Sequence, residues 1–467
     1  MMTRKLAAFV ADLKFDEIPP ATIDMSKKLL LDGVGCMLAG VNGAPARSVA
    51  AMVRCLGGER QATIFPGNTQ GSVRDAAFVN GISLYSVGLN DVHSPSGAHP
   101  GACVIPAVLA MGEWRRVPGK ELLASMVAAY EVNGRVGRAI NPTHRERGFH
   151  PTGTCGTFGA TAAAARLLAF DAEETANALG IAGSQAAGLY ECHHDGTSTM
   201  IFHAGRAAQN GVEAALLVRW GMTGPATVLE GSKGFFRATS NAYDVSAAMS
   251  DLGRRYELDG TSFRPYFGCS STISASGATV NLMRRAKVNA DNIAEILVCC
   301  HPIVAQDNAD ADPRTLLAAR LSLPFNVALV LTYGDVLAAD LEAQELDNPK
   351  IRALLPKIKL ISDQNMPRRG VQMEFRFEDG HKETEVIKVP RGSSQNPLTW
   401  DEVVAKFKPL VSPTIGHSDQ LAVIQAVANI ENINGAEFAH VLRAAVEKSI
   451  KALDTGAVAS AEDALQP

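Results

Sequence analysis

The chain has 467 residues, a formal net charge of −4 and a pI near 6.3, so nothing in its charge points to nucleic acid or an anionic membrane surface as a partner. Its eight cysteines, at 36, 55, 103, 155, 192, 269, 299 and 300, form no Cys-x-x-Cys pair, a usage that fits reduced, mostly buried thiols better than a zinc site or a disulfide framework. The length predicts a large core and two or three domains. No apolar run near the start reaches transmembrane length or precedes a cleavage pattern, so a soluble, cytoplasmic protein is expected.

Taken in order, Phe15 to Leu56 carries apolar residues at helical spacing, with a start at Pro19-Pro20 and a break from Gly40 to Ala44. Ala76 to Leu89 reads as a helix that runs into Asn90-Asp91-Val92-His93-Ser94-Pro95-Ser96-Gly97-Ala98-His99-Pro100-Gly101. Gly, Pro and Ser make that stretch a loop, and it brings an aspartate and two histidines together on irregular backbone, where chemistry tends to sit. A helix cap at Asp91 and surface histidines is the plainer reading. Ala102 to Met111 and Gly119 to Ile140 are helical again. Gly148-Phe149-His150-Pro151-Thr152 then sets a histidine before a proline, which pushes the backbone out of helical geometry. Small residues from Gly156 to Ala165, and again from Ala204 to Ala215 after His203, let helices approach closely. Between them, Asp171-Ala172-Glu173-Glu174 starts a helix, and His193-His194 are neighbours that cannot face one metal from a helix. No metal site is expected.

The pattern changes near Asp259. Ser262 to Ser271 is turn-rich, Ile293 to His301 reads as a strand, and Val371 to Val389 alternates on either side of Asp379-Gly380 as a hairpin. Residues 262–392 therefore read as a smaller α+β domain, inserted into a helical domain made of 1–261 and 393–467. The class is mainly α, with helices from Leu421 to Ile430 and from Ala436 to Leu453, and a frayed tail from Thr455. No Gly-x-Gly-x-x-Gly after a strand, no Gly-x-Ser-x-Gly elbow and no Walker loop is present. What remains are histidines on loops, which can exchange a proton near neutrality, and arginines whose fork matches carboxylates. Residue types alone stop at proton transfer on a small anionic substrate.

Several segments resemble the MmgE/PrpD family: Leu31-Asp32-Gly33-Val34-Gly35-Cys36, the Asp91 to Pro100 loop, Gly148 to Thr152, Asp171 to Ser184, His203-Ala204-Gly205-Arg206-Ala207-Ala208, Arg264-Pro265-Tyr266 with Cys269, and Leu321-Ser322-Leu323-Pro324-Phe325. The match covers nearly the whole chain in order. The resemblance implies a cleft between the two domains, a homodimer, no metal or organic cofactor, and a small polycarboxylate as substrate. It also marks departures from the dehydratase and decarboxylase members. Their acidic string falls at Gly88-Leu89-Asn90-Asp91, a lysine falls at Met200, a tyrosine at Phe325 and a histidine at Ile273.

These losses suggest a member that inverts a carbon and protonates no leaving group. The expected activity is a cofactor-independent isomerase, an epimerase acting by two-base proton transfer on a small dicarboxylic imino or amino acid of the iminodisuccinate type. His150 and His99 are its candidate acid–base pair, with Asp91 or His93 positioning one of them. Cys269 stands equally as a partner base or as a packing thiol. Arg264, Tyr266, His203 and Met200 are the candidate substrate-binding positions. Two alternatives stand beside it. One is a tricarboxylate dehydratase or decarboxylase of the 2-methylcitrate or cis-aconitate type, with His144, His194 or Lys233 replacing the missing groups. The other is a non-catalytic polycarboxylate-binding protein.

Overall fold

The computed structural model describes residues 1–453 other than 66, 196, 270, 287, 289 and 335–342, without the side chains of 194, 195, 286, 317, 343, 344 and 448–453. The tail from Thr455 and the side chain of His194 thus lie outside the described residues. The fold is mainly α, as the sequence indicates, and the chain forms two compact units. The first comprises Met1–Thr261 and the chain from Val403, and the second comprises Ser262–Glu402.

Five helices make the centre of the first unit: Val73–Ser86, Gly101–Arg115, Gly119–Ile140, Pro151–Leu167 and Thr199–Arg219. Gly101–Arg115 and Pro151–Leu167 are buried along almost their whole length, so their sequences are small or apolar on every side and show no amphipathic stripe. Small residues set the helix spacing. A Cβ added at Gly205 would lie 2.4 Å from the Phe78 carbonyl oxygen, and one at Gly81 would lie 2.8 Å from the Gly205 Cα. Val73–Ser86 and Thr199–Arg219 therefore cross backbone against backbone, which no larger residue permits. Helix ends follow local chemistry. Asp171 accepts from the backbone N–H groups of Glu173 and Glu174 at 2.8 Å each, while its own N–H donates to Glu174 Oε2 at 3.0 Å, a reciprocal cap.

The second unit holds a four-stranded sheet in the order Ile358–Ser362, Ile293–Cys300, Val371–Phe377, Lys382–Ile387. The first pair is parallel and the others antiparallel. Alternation in the third strand buries Val371, Met373, Phe375 and Phe377 in one apolar core with Ala275, Ala278 and Leu282 of the helix Ile273–Ala286, and Gly380 turns the hairpin with φ of 84°. The first unit also contains a two-stranded hairpin, Ala62–Ile64 with Thr69–Gly71, that the sequence reading lacks. Strands of three residues are too short to show a period.

The return of the chain to the first unit is fixed by charge. Lys406, on the helix Trp400–Val411, donates from Nζ to Asp32 Oδ1 at 2.5 Å and to the Leu89 carbonyl at 2.7 Å, and both side chains are almost fully buried. Lys406 so holds the helix Pro20–Ala39 and the entry to the Asp91 loop at one point. Removing one partner of a buried pair leaves an uncompensated charge, which costs about 3–5 kcal/mol. Lys406→Met is therefore expected to lower the unfolding free energy in urea by that amount, and the double variant Asp32→Leu/Lys406→Met to recover most of it.

Candidate active site

The loop between Val73–Ser86 and Gly101–Arg115 is built on a buried carboxylate. Asp91 is 3 % exposed. Its two oxygens each accept from the Gly101 N–H at 3.1 Å, and Oδ2 accepts from the Tyr130 hydroxyl at 2.9 Å. An anion at the start of a helix satisfies N–H groups that have no partner within the helix and meets the positive end of its dipole. A Cβ at Gly101 would come within 2.6 Å of Asp91 Oδ1 and 2.8 Å of the Tyr130 oxygen, so only glycine fits there. Burial, reinforced by the Asp91 charge, pushes the Tyr130 hydroxyl pKa well above its ordinary value and keeps it a donor.

His99 takes its orientation from the same residue. Its Nδ1 lies 2.7 Å from the Asp91 backbone carbonyl. A carbonyl only accepts, so Nδ1 carries a proton and donates it there. The His99 N–H donates to the Thr152 hydroxyl at 3.2 Å, which links the loop to the first turn of Pro151–Leu167.

His150 is the residue just before that helix, held by its N–H donating to the Gly188 carbonyl at 2.9 Å. Its ring is 3 % exposed and sets Nδ1 against Nδ1 of His203 at 3.1 Å. Tyr85 meets both catalytic candidates edge-on, with ring centroids 5.3 Å from His99 and 6.3 Å from His150, and Tyr190 meets His150 at 5.6 Å. Arg145 lies over the Tyr190 ring at 4.7 Å and donates to its hydroxyl at 2.7 Å. Burial, then the nearby His203, Arg145 and His193, lowers the His150 pKa from 6.5 to about 3, and burial also lowers that of His203. A helix N-terminus likewise disfavours an imidazolium. Both rings are neutral at pH 7, so one Nδ1 donates and the other accepts.

His203 also borders a cavity of about 510 Å³ within the first unit, which His150 does not reach. Met200 sits half-buried one turn before His203 on Thr199–Arg219. His93 lies in the same loop as His99 but serves the scaffold. Its Nδ1 is 2.9 Å from Ser96 Oγ and its Nε2 3.1 Å from Glu257, so both nitrogens are committed. Arg264, Tyr266 and Cys269 belong to the second unit. There Arg264 is buried, Tyr266 lies along Gly277, and Cys269 is partly exposed with Asn308 Nδ2 3.6 Å from its sulfur. Of the proposed stand-ins, His144 is occupied on both nitrogens, by the Thr239 carbonyl at 3.0 Å and Thr154 Oγ1 at 2.8 Å. Tyr85, Tyr130, Tyr190 and Arg145 were missed. Tyr85 and Tyr130 lie inside apolar helices, where aromatic residues look like core in sequence, while Tyr190 sits in a turn and Arg145 in a four-residue helix, where no periodicity marks either.

This chain belongs to the MmgE/PrpD family, matching the family's N-terminal domain over residues 4–248 and its C-terminal domain over 266–432. It is 27 % identical over 457 residues to the cis-aconitate decarboxylase-like protein oryM of Aspergillus oryzae, covering 92 % of this chain and 94 % of that protein. To the cis-aconitate decarboxylase of Homo sapiens it is 26 % identical over 452 residues, covering 92 % of each. To the 2-methylcitrate dehydratase of Cupriavidus necator it is 23 % identical over 369 residues, covering 74 % of each. These names correct the expected enzyme class. The relatives are decarboxylases and a dehydratase, not isomerases, so the epimerase acting on iminodisuccinate is withdrawn. The inference failed because a missing lysine, tyrosine or histidine tells which side chains are unused, not which bond breaks.

The buried histidines make stability depend on pH. His144 is lowered from 6.5 to about 4, chiefly by burial, and His150 to about 3. Each binds a proton more readily unfolded than folded, so its contribution is complete above about pH 6.5 and is lost as pH falls toward the folded value. At pH 5 that loss is roughly 2 kcal/mol per histidine, at about 1.4 kcal/mol per pH unit. Urea unfolding at pH 7 and pH 5 should show it, and His150→Gln should remove about half of the pH-dependent loss shared by these two rings. An unchanged slope in that variant would contradict a neutral, buried His150.

Proposed function

We propose that this chain is a lyase acting on a small tricarboxylic acid, with decarboxylation of a cis-aconitate-type substrate as the first reading. The observation that carries it is that His99, whose Nδ1 donates to the Asp91 carbonyl, and the neutral His150 both stand edge-on to one ring, Tyr85. The decarboxylase relatives, which align along 92 % of this chain, support the first reading. In the decarboxylation the bond to one carboxylate breaks, carbon dioxide leaves, and a proton is delivered to the carbon that takes up the electron pair. Histidine suits that delivery, because a substrate anion placed nearby raises its pKa and lets a neutral ring collect a proton on binding. Dehydration is the second reading, favoured by the resting state of the site. There a neutral histidine takes the proton next to a carboxylate, the carbon–oxygen bond breaks, and that proton passes from the imidazolium to the departing hydroxyl, which leaves as water.

The test is a proton NMR time course with cis-aconitate and with 2-methylcitrate in separate tubes. Loss of carbon dioxide from cis-aconitate supports the first reading, and alkene formation from 2-methylcitrate the second. No change in either tube contradicts both. His99→Ala and His150→Ala are each expected to lower kcat/KM by about 10²–10⁴-fold, with the far-ultraviolet circular dichroism unchanged.

A further inference from the structure

We infer that the cavity bordered by His203 binds a short aliphatic carboxylate with a hydrogen-bond donor at its other end, and that its occupant decides which nitrogen of His150 carries the proton. The second half rests on the reading of His150 as a proton-transfer group; the first half stands without it.

The cavity, about 510 Å³, is lined among others by Leu189, Glu191, Phe202, His203, Arg206 and Asn210, so the Arg206 guanidinium is the charge of this lining that offsets Glu191 and can receive an anion. His203, Arg206 and Asn210 lie on Thr199–Arg219 at spacings of three and four residues, and so share one face of it. Asn210 is 6 % exposed. Its Nδ2 donates to the Gln185 carbonyl at 3.0 Å, while its Oδ1 has no partner among the described residues. At the other end, His203 spends Nδ1 on His150 and its Nε2 makes no hydrogen bond among the described residues. The seven-residue separation puts these two polar ends about 10 Å apart along the helix axis, with Ala207, Leu189 and Phe202 as apolar wall. Arg206 is exposed, one of its nitrogens donating to Gln209 Oε1 at 2.6 Å. A molecule that satisfies this wall has a carboxylate for His203 Nε2–H and Arg206, a chain of about four to six carbons, and a hydroxyl or amine that donates to Asn210 Oδ1.

The coupling follows from the histidine pair. Two neutral rings that meet Nδ1 to Nδ1 have two arrangements. If His203 donates, its Nε2 is bare and His150 carries its proton on Nε2. If His150 donates, His203 carries its proton on Nε2 and His150 has a bare, basic Nε2. A carboxylate in the cavity can only accept, so it selects the second arrangement and makes His150 a proton acceptor. The pair is a two-state element that one site can set and the other can use.

The experiment titrates the full-length protein, ¹⁵N-labelled at histidine, at pH 7 with 4-hydroxybutyrate, 6-hydroxyhexanoate and hexanoate. The nitrogen shifts separate bare ring nitrogens from N–H. At least one hydroxy acid is expected to convert His203 Nε2 to N–H and His150 Nε2 to the bare form, and to bind at least tenfold more tightly than hexanoate. Arg206→Gln and Asn210→Leu should each weaken it at least tenfold, and the wild-type comparison stands even if a variant fails to fold. No shift with any probe, equal binding of hexanoate, or movement to the opposite tautomer would overturn the inference. A tautomer shift in a protein that turns over neither tricarboxylate would support the site and count against the proposed reaction alone.

Discussion

A carboxylate buried at the start of a helix is the constraint on which the candidate site depends. Asp91 satisfies the first N–H of Gly101–Arg115 and the Tyr130 hydroxyl with its side chain, while its backbone carbonyl fixes the tautomer of His99. Such an anion is tolerable only where donors are already in place. The chain supplies them by omission as well as by addition: Gly101 has no side chain to obstruct the contact. The loop is pressed onto Gly119–Ile140 in the same way, since a Cβ at Gly137 would lie 2.4 Å from the Ser96 Cβ, and one at Gly134 3.2 Å from the His93 Cε1. His93, paired to Glu257, holds the loop against the buried charges on that helix. Arg135 donates there to Glu131 at 2.5 Å and to Asp251 at 2.8 Å.

His150 presents the opposite case, a titratable group with no counter-charge among the described residues. It sits at the positive end of a helix, buried beside another histidine and two tyrosine rings. No described group there stabilises an imidazolium, so the ring is neutral at pH 7. On the proposed reading, the charge of the substrate primes such a site. That fits a polycarboxylate better than a neutral ligand, and it makes the direction of proton transfer depend on what is bound.

Much of the scaffold was legible in the sequence because it rests on local rules. The Asp379-Gly380 hairpin, the Asp171 cap and the Gly/Pro-rich Asp91 loop each follow from turn or capping chemistry within a few residues. The site was legible only in part. His99, His150 and Asp91 stood out as polar groups on irregular backbone. Tyr85 and Tyr130 did not, since an aromatic residue inside an apolar helix reads as packing until its hydroxyl or ring edge is placed in space. His93 misled in the other direction: a loop histidine beside the site turned out to be an anchor, because its partner Glu257 lies far along the chain. Reaction class was the least legible property. The departures that the resemblance implies at Met200, Phe325 and Ile273 do not single out a reaction, because proton transfer beside a carboxylate is common to several.

The central claim is that His150 rests neutral and gains its proton only when an anion binds. The direct measurement is a histidine-resolved NMR titration of the full-length protein from pH 8 to pH 4, without and with citrate as a non-alkene tricarboxylate probe. The account predicts that the free protein's His150 stays neutral throughout that range and that the probe raises its midpoint into it. A midpoint near 6.5 in the free protein, or one that citrate leaves unmoved, would contradict the account.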